Sequence, residues 1–570
     1  MASTIDGLPR VRPEDVGCDP KDIQAFLDEA TAASDIELHG FMLYRSGGVA
    51  AEGWAWPYQP DLPHMLHSAT KSFTSVAVGL AVHEGFFKLD DLVVSFFPDR
   101  VPKDASEYLY RMTVEDVLTQ TSGHGHGESG GEWRSIETSW IDKFFSVPVD
   151  FEPGTKFTYS SATSFMLSAI ISKTTGQPVR DFLEPRFFRP LGIKLVTWDI
   201  GPEGINPGGN GISCLTSDFL KLGVLHLQKG QWNGKQILPK EWVEAANKSQ
   251  RGNEYGYHWW TDSEGSAWAS GMFGQFAVVY PQHDAVLVTN AAVPSGARPL
   301  QALIHRHFPR ILKDKAAVQE SPEATQQLEK TIAALRVLPV FQKAPPSSGQ
   351  QAVNRERFVA KDNEDGVVSF SLDFKSDSLC VFSLQDARGS HRVQVGLDDW
   401  LWGSTSISGA KLHHGYESTT VPVVAGGVWT AENTFEITMQ YSEMAFCDKV
   451  LINFAKNYTT AKLERSVNVN SFGTRRPAVW ASVLVKGDEL QSSDFGIEES
   501  KATFSTGEST IGVLLDNPAT RTILLEEVPD VVNNPRIDKG RLYTFDIIAH
   551  HIPGLDHETL ARINKKLAQL

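Results

Sequence analysis

Two hydrophobic periods occupy two different parts of this chain, and no single packing layer accommodates both. From about residue 355 to 485 apolar side chains fall in steps of two, as in Phe370, Leu372 and Phe374, and again in Phe435, Ile437, Met439 and Tyr441. Side chains of a strand alternate between faces, so this pattern predicts a β-sandwich or small barrel. Up to about residue 310 helical and sheet-like segments alternate instead, which predicts an α/β or α+β unit around an antiparallel sheet. The intervening stretch ends in the Pro/Ser-rich "KAPPSSGQ". Beyond residue 485 short helical patterns with proline punctuation recur, as in "DNPATRTILLEEV" and "LDHETLARINKKLAQL". The expected organisation is therefore an α/β (α+β) domain over residues 1–310, a linker over 311–354, an all-β domain over 355–485 and a small helical module over 486–570. A chain of 570 residues is long enough for several such cores.

Composition narrows the partners. A formal charge of −16 disfavours nucleic acid and anionic membrane surfaces. The N-terminal "MASTIDGLPRVRPEDVGCDP" has no apolar signal core, and no run of about 18 apolar residues follows, so no membrane span is expected and a cytoplasmic location is the default. Cys18, Cys214, Cys380 and Cys447 are scattered without a C-x-x-C pair, which suits four reduced thiols. His124 and His126 with Glu128 form an H-x-H pattern, but in a glycine-rich loop without a rigid frame, so neither metal nor cofactor is expected; His124 reads either as lining an entrance, and so as a substrate contact, or as part of a solvated loop. "NPGGNG" at 206–211 lacks the following Lys-Ser/Thr of a phosphate loop and reads as a turn flanking a site. The expected partner is a small molecule or short peptide, and the chain is compatible with a homo-oligomer.

The segment "HSATKSF" (67–73) opens a helix that is apolar on nearly all sides until Gly85, as for a helix in the middle of a domain. Residues i and i+3 share a helical face, so Ser68 and Lys71 bring a hydroxyl and an amine within reach of each other. A lysine in a poorly solvated pocket loses basicity and can take a serine proton at neutral pH. The same spacing recurs at Ser408 and Lys411 without a long helix after it, so context must carry the reading. That context is "LTQTSGH" (118–124), "FEPGTKFTYSS" (151–161), "PLGI" (190–193) and the glycine-rich "GMFGQF" (271–276).

In this order the motifs resemble those of the β-lactamase and penicillin-binding-protein superfamily of serine hydrolases, particularly its class C-like branch, over most of residues 10–310. Residues 355–485 resemble the lipocalin-like β domain often appended to such hydrolases. The resemblance implies that Ser68 forms an acyl-enzyme, that Lys71 and Tyr159 are the general-base pair with the choice between them open, and that the backbone N–H groups of Ser68 and Met272 form the oxyanion hole, with Gly271 allowing close approach of substrate. Two positions depart from it. Ser161 stands where many relatives carry asparagine, and reads either as a substrate contact or as a helix N-cap. Ala269-Ser270-Gly271 stands where Lys-Thr-Gly or His-x-Gly is usual, so a substrate carboxylate loses its cation and ester or neutral amide hydrolysis rises over β-lactamase and carboxypeptidase roles. Ser270 and Gly271 remain expected substrate contacts. Trp259, Trp260, Trp268 and Phe273 read as an apolar subsite or as core; Trp268 and Phe273 are taken as the substrate-side pair. The leading expectation is a metal-independent, esterase-like serine hydrolase. The alternatives are a peptidase or amidase on small or D-amino-acid peptides, an acyltransferase, and a non-catalytic binding protein.

Overall fold

A computed structural model describes residues 6–128, 131–409, 412–413, 419–471, 473–483, 504–507, 509, 511–534, 537, 545, 549 and 555–570. Lys411 and residues 486–503 of the expected helical module lie outside the described residues. Two compact units emerge, one comprising residues 1–337 and 443–445, the other 338–442 and 446–570.

In the first unit six antiparallel strands form one sheet: β1 (Glu37–Arg45), β2 (Gly48–Trp54), β3 (Trp260–Thr261), β4 (Ala267–Gly271), β5 (Gln275–Tyr280) and β6 (Ala285–Ala292), in the order β2-β1-β6-β5-β4-β3. The strands β1 and β6 pair from Glu37↔Ala292 to Arg45↔Ala285, which joins the two ends of the unit at the middle of the sheet. Both faces are covered, so strand residues are apolar on both sides. One face, carrying Met42, Ala269, Ala277 and Val288, packs with the helices α2 (Thr70–His83), α3 (Ser161–Thr175) and α4 (Thr216–Leu227). The other, carrying Phe41, Trp268, Phe276 and Leu287, packs with α1 (Pro20–Ala32) and α5 (Arg298–Ile311). The helix Pro322–Ala333 adds Leu328 to that second layer, so the chain after residue 310 still packs in this unit.

Helix α2 is buried from Thr70 to Ala81, as its all-round apolar pattern requires. Two of its hydroxyls bond to neighbouring backbone: Ser72 Oγ donates to the His258 carbonyl at 2.8 Å, and Thr74 Oγ1 to the Gly208 carbonyl at 2.6 Å. The short helix Val114–Leu118 starts with Thr113 and Asp116 capping each other reciprocally, as the "TVED" sequence predicts. Helix α3 ends at Gly176 in the left-handed region at φ 71°. Helix α4, whose pattern reads as amphipathic, is instead buried from Thr216 to His226, because it lies against β5, β6 and β1.

In the second unit the step-of-two residues line a barrel. Its strands are β7 (Arg357–Ala360), β8 (Ser369–Ser376), β9 (Leu379–Asp386), β10 (Gly389–Gly396), β11 (Leu401–Thr405), β12 (Val421–Ala431), β13 (Thr434–Tyr441), β14 (Cys447–Phe454), β15 (Thr460–Val467) and β16 (Val479–Val483). They follow the order β10-β9-β8-β7-β16-β15-β14-β13-β12-β11, and a parallel bridge Gly396↔Gly426 between β10 and β12 closes nine of them. Rings fill part of the interior: Phe358 stacks on Phe370 at 5.3 Å and Phe374 meets Phe435 at 5.5 Å. Helices Ile511–Asp516, Pro518–Glu527 and His557–Leu567 share an apolar cluster that includes Leu514, Leu524 and Ile563. All four cysteines are free. No described helix is long and apolar enough to cross a membrane.

Candidate active site

The "HSATKSF" segment is held from both ends. A two-residue strand, His64–Met65, pairs with Ile212–Cys214, and the Leu66 amide donates to the Ile212 carbonyl at 2.8 Å. His67 then adopts φ 48°, and a 3-10 turn, His67–Ala69, carries Ser68 into α2. Ser68 is half-buried in the middle of that turn, while Lys71, in the first turn of α2, is 2% exposed.

Three oxygens surround the Lys71 amine. Nζ lies 3.4 Å from Ser68 Oγ, 3.1 Å from Ser161 Oγ and 2.9 Å from the Gly209 carbonyl. No carboxylate among the described residues pairs with it. Burial without a counter-charge lowers its pKa from 10.5 to about 7. A neutral amine has two N–H donors and one lone pair, and the Gly209 carbonyl can only accept. With the second N–H given to Ser161, the lone pair is left for the Ser68 hydroxyl. The loop that supplies Gly209 was read from sequence as a turn beside a site. It needs glycine there, since a Cβ at 209 would lie 2.8 Å from the Cβ of Ser161.

Tyr159 ends the irregular segment before α3. Its ring centroid is 4.6 Å from Lys71 Nζ, and its phenol interacts with the Ser68 hydroxyl. Burial raises its pKa to about 12, a rise that the Ser68 hydroxyl reduces, so the phenol holds its proton at neutral pH. Trp260, half-buried, stacks on it at 5.5 Å. Ser160, and not Ser161, is the N-cap residue of α3; its Oγ donates to the Glu128 carbonyl at 3.0 Å. Ser161 is thus free of capping, and its hydroxyl faces Lys71.

On the other side of Ser68, Gly271 ends β4. A Cβ there would stand 2.1 Å from the Leu66 carbonyl and 3.2 Å from the Ala69 amide, so glycine brings the strand end against the turn that carries Ser68. Met272 follows directly. Phe273, at φ 67°, sets its ring edge-on to His67 at 5.2 Å. Ser270, half-buried, pairs with Phe276. Strand alternation sets Ser270 on the face of Trp268, whereas Ala269 belongs to the α2 face.

Ser270 is therefore an expected contact on the far face of the sheet, and two more lie elsewhere. Trp268 belongs to the opposite layer: its Nε1 donates to Ser266 Oγ at 2.8 Å and to Asp262 Oδ2 at 3.0 Å, and its ring meets His305 at 4.8 Å. Its place in the alternation, out of phase with Ala267 and Ala269, puts it there. His124 is 4% exposed, hydrogen-bonded through Nδ1 to Ser122 Oγ at 2.8 Å and edge-on to Phe144 at 5.0 Å. Burial lowers its pKa to about 4, so it is a neutral wall residue and not an entrance group. Trp259 is core, against His226 at 4.2 Å. His126 Nε2 lies 3.0 Å from Glu128 Oε1, and among the described residues no three His, Cys, Asp or Glu side chains gather as a metal site. Sequence reading missed Trp260 as the partner of Tyr159 and the Gly209 carbonyl as a partner of Lys71.

A family model described as Beta-lactamase matches residues 23–306, the span that contains all of this geometry. Residues 23–306 belong to the beta-lactamase family. Within that family the chain is similar to esterase EstB of Burkholderia gladioli, 30% identical over 181 residues, which cover 29% of this chain and 45% of EstB. It also resembles the 6-aminohexanoate-dimer hydrolase of Paenarthrobacter ureafaciens, 22% identical over 283 residues, covering 45% of this chain and 72% of that protein. Among solved structures, a putative 6-aminohexanoate-dimer hydrolase from Bacillus anthracis aligns at 17% identity and a TM-score of 0.46, over 55% of this chain and 89% of its own. The match to EstB thus spans less than half of that relative's length. In this beta-lactamase-family domain the cation of the third motif is missing: Ala269 and Ser270 carry no charge.

Proposed function

We propose that this protein is a metal-independent serine hydrolase that cleaves an ester, or a neutral amide, of a small molecule or short peptide through an acyl-enzyme on Ser68. The observation that carries this reading is the Lys71 amine, buried without a counter-ion and bounded by two fixed acceptors and one nucleophile. In the proposed acylation the lone pair of Lys71 takes the Ser68 proton as Oγ bonds to the acyl carbon. The carbonyl oxygen, now negative, accepts hydrogen bonds from the backbone N–H groups of Ser68 and Met272. As the C–O or C–N bond breaks, the Tyr159 phenol protonates the leaving group and regains its proton from the Lys71 ammonium. Water then repeats the sequence at the ester of Ser68: its proton passes to the same base, and Ser68 leaves as the hydroxyl. An acceptor alcohol in place of water makes the same cycle an acyl transfer.

The uncharged third motif supports a neutral substrate, and the names of EstB and of the 6-aminohexanoate-dimer hydrolase support the ester and amide options. Intact-protein mass after treatment with an activated fluorophosphonate, beside p-nitrophenyl acetate turnover, tests the proposal. One adduct and ester turnover are expected for wild type, with both lost in Ser68→Ala. A folded wild-type protein that shows neither refutes the catalytic reading in favour of a binding protein.

A further inference from the structure

The "LTQTSG" turn marks the family but has no part in the chemistry above, yet one of its side chains is fully buried beside the site. Gln120 has φ 61°, in the left-handed region, which a non-glycine residue adopts at a cost and keeps when its surroundings dictate it. Its carbonyl accepts from the Thr158 amide at 2.8 Å. Its side-chain Oε1 accepts from the Ser160 amide at 2.6 Å and from Thr163 Oγ1 at 3.0 Å, and its Nε2 donates to Ser164 Oγ at 3.3 Å. The stretch between the two amides held by Gln120 is Thr158 and Tyr159.

We propose that Gln120 is the positioning residue that fixes Tyr159 against Ser68 and Lys71. Tyr159 lies in no strand and precedes the first turn of α3, so neither ladder nor helix hydrogen bonds fix its backbone. The Phe157–Thr158 and Tyr159–Ser160 peptide groups, which bracket Thr158 and Tyr159, are the available handles, and one residue takes both. The left-handed backbone lets the carbonyl and the side-chain amide of Gln120 reach the same segment. Thr163 and Ser164, on the first turn of α3, hold the Gln120 amide in turn, so Tyr159, the turn and the helix start form one closed set of bonds. This rests on the reading of Tyr159 as the proton donor of a hydrolase.

The test compares Gln120→Met, similar in length but with no acceptor, in wild-type and Tyr159→Phe backgrounds, together with 13C-ε-tyrosine NMR in which the Tyr159 signal is assigned by its loss in Tyr159→Phe. A misplacement of about 1 Å can cost about 100-fold in rate. Gln120→Met is therefore expected to lower kcat for p-nitrophenyl acetate by about 10- to 100-fold with KM within about twofold, and to move the Tyr159 signal. In the Tyr159→Phe background the same change should cost less than about threefold, because coupled residues are non-additive. An equal loss in both backgrounds, or an unmoved Tyr159 signal, overturns the proposal. Should Gln120→Met fail to fold, Gln120→Asn, which retracts the amide by one carbon, is read by the same two measurements. Absence of a fluorophosphonate adduct on wild type, together with a moved Tyr159 signal in the variant, refutes the hydrolase reading and leaves the splint in place.

Discussion

Replacing Lys71 with methionine should stabilise the fold at neutral pH while abolishing turnover, and the size of the effect follows from its lowered pKa. The amine titrates at about 7 in the folded chain and at 10.5 in the unfolded one. Between these values the unfolded chain binds one proton more than the folded chain, so unfolding free energy rises with pH, by about 1.4 kcal/mol per pH unit. The gap of about 3.5 pH units corresponds to about 5 kcal/mol, of which about 2 kcal/mol is recovered between pH 7 and 9. Lys71→Met has no such group. It leaves the Gly209 carbonyl unsatisfied, at a cost of about 1–3 kcal/mol, so at pH 7 the variant should still be the more stable protein by roughly 1–3 kcal/mol. Urea unfolding from pH 7 to 9, read on the α2 peptide by hydrogen exchange and mass spectrometry, gives the difference between the two proteins with other titrations cancelled. A difference that stays flat over this range would show that Lys71 is a permanent ammonium and would remove it as the base.

The same titration sets the rate profile. For p-nitrophenyl acetate, log kcat/KM should climb with a slope of about 1 up to pH 7 and then level, because acylation needs the neutral amine. No descending limb is expected below pH 10, since the Tyr159 phenol holds its proton until about 12; a bell centred near 7 would contradict the assignment of donor and base. Without a third-motif cation, the anionic 4-nitrophenyl hemisuccinate should be hydrolysed at least about tenfold less efficiently than the acetate, a difference of about 1.4 kcal/mol. Equal efficiencies in stopped-flow turnover would point to a cation supplied from elsewhere.

The side chains of the proposed site are legible in the sequence, and groups supplied by backbone are not. Ser68 and Lys71 stand three residues apart before an apolar run, and Tyr159 follows a Pro-Gly turn, so helical geometry alone brings two of the three together. The Gly209 carbonyl is invisible to such a reading because every residue has one; the double glycine of "NPGGNG" marks a close approach without saying to what. Trp268 was misplaced for a different reason. In "AWASGM" small residues surround the tryptophan, so the pattern does not tell which face is buried under which layer, and both faces of this sheet are covered. The N-cap of α3 differed by one residue, as neighbouring serines make equally good caps. The barrel was the more readable unit, since a closed sheet enforces alternation strand after strand, and Phe370, Leu372 and Phe374 all point inward.

The β1–β6 pairing has a consequence for how the chain is made. Arg45 waits for Ala285, some 240 residues later in the chain. At about 5–20 residues per second, a ribosome needs roughly 12–48 s to deliver that partner. During that interval the β1–β2 hairpin exists with its central edge bare, an invitation to pair with another nascent copy. Ser68 and its proposed base Lys71 emerge early and Met272 late, so the proposed nucleophile is synthesised well before the second amide of the proposed oxyanion hole. A chain stalled short of residue 272 therefore carries Ser68 and Lys71 with only one of the two amides proposed for the oxyanion hole.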